Sequence, residues 1–181
     1  MNLASRLLIA ALVCFSGTLS IPLRAQLPAP PAAPGPKPLD YQALDRGIEA
    51  INKQEYANAV KFLEELLRVY PNSPAVAEGH FRLGYALYLL GEYDKSVASF
   101  QQVPTAKGAT PEIVELASSL TPQVLATKAA KLPADDPARD AALVDAVQQF
   151  DAFLQKFPQS EEAETAHSGK AMALFQLKKY D

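Results

Sequence analysis

Residues 59–66 read AVKFLEEL, residues 96–103 read SVASFQQV and residues 146–153 read AVQQFDAF. All three fit one pattern: a small residue, Val, two variable positions, an apolar residue, two more variable positions and a second apolar residue. The copies start 37 and then 50 residues apart. In the first, Ala59, Leu63, Leu66 and Tyr70 fall at i, i+4, i+7 and i+11, which is one stripe of a 3.6-residue helix and not the alternation of a strand. A longer match at a constant offset of 87 pairs Pro71 with Pro158, Ser73 with Ser160, His80 with His167 and Tyr93 with Tyr180. The chain is a repeat of helical units, each too small to bury its own apolar face.

The prolines around these copies punctuate helices. Pro71 stops the first, because proline disfavours helix in the residue before it. Ser73-Pro74 starts the next, with Ser as N-cap and Pro at the first helical position. The same signature stands at Thr110-Pro111, Thr121-Pro122 and Asp136-Pro137. Ser160 followed by Glu161 and Glu162 is a version without proline, its acids favoured by the helix dipole. These signals predict helices near 40–52, 56–70, 74–89, 93–103, 111–120, 122–131, 137–156 and 161–177. The short loops between them force antiparallel neighbours.

Composition agrees and excludes several classes of function. Of the 181 residues 49% are hydrophobic and 20% charged, with 8 Gly and no Trp. That balance suits a globular chain rich in helix formers. There are 17 Lys+Arg against 20 Asp+Glu, so no basic surface invites nucleic acid. A single cysteine, Cys14, leaves no internal disulfide framework and no Cys-based zinc site.

The N-terminus reads as an address. Residues 1–25 hold Arg6, Arg24 and no acid, with an unbroken apolar run from Leu7 to Phe15. Leu23-Arg24-Ala25 then offers a cleavage site before Gln26. This is the layout of a secretory signal peptide, and the run is far short of the roughly 20 residues that span a bilayer. Val13 precedes Cys14 where a lipidation site needs a small residue, so lipid attachment is not expected. Residues 26–38 read QLPAPPAAPGPKP. They favour extended polyproline II and form a stiff spacer before a repeat domain spanning 39–181.

With these residues in place, the chain resembles the tetratricopeptide repeat (TPR) family. Leu83, Gly84 and Leu87, then Gly91-Glu92-Tyr93, then Ser96 and Phe100 match one whole unit. Gly47, Tyr56, Ala59, Leu63, Leu66 and Pro71 match another, and Ala171, Leu174, Tyr180 and Asp181 begin a last one. Arg46 and Lys170 stand where Leu is usual, and residues 104–137 fit poorly. The pairing of a Tyr-Pro-Asn-Ser-Pro turn with an alanine-rich helix is similar to exported bacterial TPR proteins, namely BamD-like outer-membrane assembly lipoproteins and TolA-binding periplasmic proteins. The resemblance implies an all-α fold of antiparallel helix hairpins stacked as a right-handed solenoid. It also implies a role in binding protein or peptide partners in the cell envelope, in the periplasm or at the outer membrane. Gly47 and Gly84 then read as places where two helices cross closely.

No catalytic or cofactor motif is present. His80 and His167 are followed at i+4 by Gly84 and Ala171, so the two-histidine spacing of a helical zinc site is missing. No nucleophile elbow, P-loop or dinucleotide fingerprint occurs, and neither an enzyme nor a cofactor is expected. Recognition falls to the first helix of each unit, which the resemblance places on a concave side. In the second unit the groove residues would be Glu78, Phe81, Arg82, Tyr85 and Tyr88. Phe81, Tyr85 and Tyr88 form a stripe at i, i+4 and i+7 beside Arg82, and aromatics and Arg are the types enriched at binding hot spots. The same stripe could instead pack beneath a neighbouring helix. Tyr41, Leu44 and Ile48 would be the first unit's groove residues, Met172 and Phe175 the last's. Two other functions fit the same residues: a structural module of a larger envelope assembly, and the repeat region of a larger envelope enzyme. The last unit stops at Asp181, which would leave Met172, Leu174, Phe175 and Leu177 partly uncovered. Either the chain continues in a longer protein, or copies associate through this open end.

Overall fold

The computed structural model describes residues 36–177. The expected signal peptide and cleavage site, Cys14, most of the proline-rich stretch and Lys178–Asp181 lie outside the described residues. Seven α-helices follow one another: α1 Leu39–Asn52, α2 Tyr56–Val69, α3 Val76–Leu89, α4 Tyr93–Gln102, α5 Pro111–Lys131, α6 Pro137–Lys156 and α7 Ala163–Gln176. A single turn of 3₁₀ helix, Val103–Thr105, ends α4. Among the described residues there is no strand, and each helix packs on the next. The all-α repeat reading therefore holds.

The first two hairpin turns are built alike. The Glu55 N–H reaches back to the Ala50 carbonyl at 2.8 Å, and that of Glu92 to the Leu87 carbonyl at 2.9 Å. The Gln54 and Gly91 N–H groups bond the Ile51 and Tyr88 carbonyls at 2.9 and 3.0 Å. This double bond pattern closes a helix C-terminus and needs a left-handed residue at the step after the helix. Gly91 takes it with φ +80 and Gln54 with φ +62.

Close crossings hold each hairpin together. A Cβ on Gly47 would lie 2.5 Å from the Leu63 side chain, and one on Gly84 2.8 Å from the Phe100 ring. Both contacts join residues 16 positions apart, so the second hairpin repeats the register of the first. The Ser96 hydroxyl adds a buried hydrogen bond to the Gly84 carbonyl at 2.7 Å. Apolar clusters then fill the spaces along the array. Leu44, Leu63, Leu66, Leu83 and Leu87 join α1 to α3. Phe81, Phe100, Val103, Ala117 and Val124 join α3 to α5. Leu125, Phe150, Phe153 and Ala166 join α5 to α7.

Helix starts follow the cap signals with two adjustments. Thr110 accepts from the Ile113 N–H at 3.4 Å and Asp136 from the Ala138 N–H at 2.8 Å, each with proline at the first helical position. Ser73 and Ser160 instead accept from the Ala75 and Glu162 N–H groups and cap the turns that lead into α3 and α7. Those helices begin two residues later than the cap signals predict, at Val76 and Ala163.

One boundary needs correction. The separate helices expected at 111–120 and 122–131 are a single helix, α5, with Pro122 inside it. Thr121 is no cap: its hydroxyl bonds back to the Ala117 carbonyl at 2.8 Å. Pro122 brings no N–H and leaves the Ser118 carbonyl without its helical donor. Burial on both sides offsets that loss, since Ala117, Pro122, Val124, Leu125 and Ala129 are all buried. The helix is held straight through by tertiary packing, against its local signal.

Candidate partner-binding face

The helices divide into two rows. Along one row α1 touches α3, α3 touches α5, and α5 touches α7. In the other row, α2, α4 and α6 touch only neighbours in chain order, never one another. The array therefore curves with α1, α3, α5 and α7 on its inner side, where the TPR resemblance places the groove.

The five candidate groove residues of α3 have different surroundings. Phe81 is 9% exposed, with its ring centroid 5.8 Å from that of Phe100. It lies one turn before Gly84, which meets the same ring, and residues three apart share a helix face. Of the two places expected for it, groove or packing beneath a neighbour, the ring takes the second, in the cluster with Phe100, Ala117 and Val124. Tyr85 and Tyr88 are half-buried and remain at the inner row, where they line a shallow depression with Leu120, Gln123 and Val124 of α5 and the edge of Phe100. Tyr88 also meets the Tyr93 ring at 6.2 Å. Glu78 and Arg82 pair at 2.9 Å one helical turn apart, both partly exposed. The Arg82 guanidinium lies 5.5 Å from the centre of the Phe81 ring. Glu78 thus offsets much of the charge that Arg82 brings to the inner face.

In the first unit Leu44 is buried in the core, with Tyr41 and Ile48 half-buried against it. In the last, Met172 and Phe175 are exposed, while Leu177 is partly buried against the cluster of Ala129, Ala142, Leu143 and Ala173. Sequence reading missed α5's share of the face. Leu116, Leu120 and Gln123 fall at i, i+4 and i+7, the spacing of Phe81, Tyr85 and Tyr88, and Leu116 is 45% exposed. That stripe runs across the supposed break at Thr121-Pro122, which hid it.

The two histidines, equivalent in the repeat, differ in setting. His80 is half-buried and its Nδ1 has no hydrogen-bond partner among the described residues. Burial pushes its pKa below the ordinary histidine value. His167 is exposed. Among the described residues no three His, Cys, Asp or Glu converge on a point where a metal ion could sit, and no helix is long and apolar enough to cross a membrane.

Residues 39–179 match the family of outer membrane lipoproteins called YfiO. The chain belongs to that family. The match begins at the first residue of α1 and covers all seven helices, so the YfiO assignment rests on the repeat array itself. The resemblance to BamD-like exported TPR proteins holds with it. No curated protein matches the chain.

Proposed function

We propose that this YfiO-family chain is an exported TPR scaffold that holds segments of partner proteins on its inner face during assembly or maintenance of the cell envelope. Tyr85 and Tyr88 of α3 and Leu116, Leu120 and Gln123 of α5 make the contact strip, with the Glu78–Arg82 pair beside it. Phe81 supports the strip from beneath. The observation that carries this reading is the depression between α3 and α5, where two half-buried tyrosines stand beside Leu120, Gln123 and Val124 of the next inner helix. Tyrosine offers a large rigid surface with a polar tip, and such residues dominate interface energetics. The role proposed for the strip is binding. Residues 1–25 direct export and are removed, 26–38 serve as spacer, and 39–181 form the working domain.

Site-specific photocrosslinking in intact cells tests the strip. A crosslinker at Leu116 or Tyr88 is expected to capture a defined envelope protein, and one at Lys61 on α2 is not. Equal capture from both positions, or none from the inner one, would reject the strip. Thermal melts with binding assays separate support from contact. Phe81→Ala is expected to lose about 3–5 kcal/mol of stability, as a buried aromatic does. Tyr85→Ala and Tyr88→Ala should lose much less, yet cost roughly 2 kcal/mol or more in partner binding.

A further inference from the structure

We draw no further inference here: the strongest candidate, the open furrow between α1 and α2 lined by Leu39, Arg46, Phe62, Glu65, Val69 and Tyr70, is a face of mixed polar and apolar character on the first hairpin, and nothing in the structure shows what covers it.

Discussion

Gln54 and Gly91 occupy the same step of two equivalent turns, and only one of them suits it. An L-residue in the left-handed region pays roughly 1–2 kcal/mol that glycine avoids. Glycine gives part of this back through the freedom it loses on folding. Gln54→Gly is therefore expected to raise stability by about 0.5–1 kcal/mol, read as a higher melting temperature. A lower melting temperature would mean that the Gln54 side chain makes a compensating contact. The parallel was visible in the sequence, where Gln54-Glu55-Tyr56 aligns with Gly91-Glu92-Tyr93. The backbone angle was not, because glutamine carries no local signal for it. His80 gives a second test at this scale. Its folded pKa lies below the unfolded value of 6.5, so the unfolded chain binds the proton more tightly. Stability is complete above pH 6.5 and falls as the pH drops from there through the folded pKa. His80→Phe should flatten stability over that window. Denaturant melts between pH 5 and 7.5 decide this. Asp40 titrates lower and does not confuse the result, because the Ser73 hydroxyl holds its carboxyl below the ordinary aspartate range.

Among the elements, α5 shows most clearly how far local signals reach. Thr110-Pro111 and Thr121-Pro122 read identically along the chain, but only the first begins a helix. The difference lies in surroundings the sequence does not display: α5 packs on α3, α4, α6 and α7, and its buried side chains extend across Pro122. Elsewhere the caps and stops placed the helices to within two residues, since each depends on near neighbours in the chain, and the repeat pattern supplied the crossings at Gly47 and Gly84. The candidate face followed the same rule. The α3 stripe was legible from its spacing, but the seam that swallowed Phe81 and the partner stripe on α5 both depend on tertiary packing. Amide exchange tests the continuous helix. In a helix starting at Pro122, the N–H groups of Gln123 and Val124 would lie in an unpaired first turn and exchange freely. Within α5, protection is expected to persist at these positions and to continue toward Ala129.

At the scale of the whole molecule, membership of a lipoprotein family meets a chain whose only cysteine follows Val13. Protein recovered from the envelope is expected to begin at Gln26 and to carry no lipid, which intact mass measurement checks. A diacylglyceryl adduct on Cys14 would overturn the reading and give the array a membrane tether of its own. Either way, the array's stability is a sum over neighbouring hairpins, because each apolar cluster spans only adjacent units. The unequal contacts of its two rows have a mechanical consequence. Flattening the curve pulls α1, α3, α5 and α7 apart and breaks contacts, whereas tightening it brings α2, α4 and α6 no resistance that they do not already lack. The array is a bow whose string is the inner row of helices. A partner segment held along that string, as proposed, would add to its tension and make the occupied scaffold stiffer against straightening than the empty one.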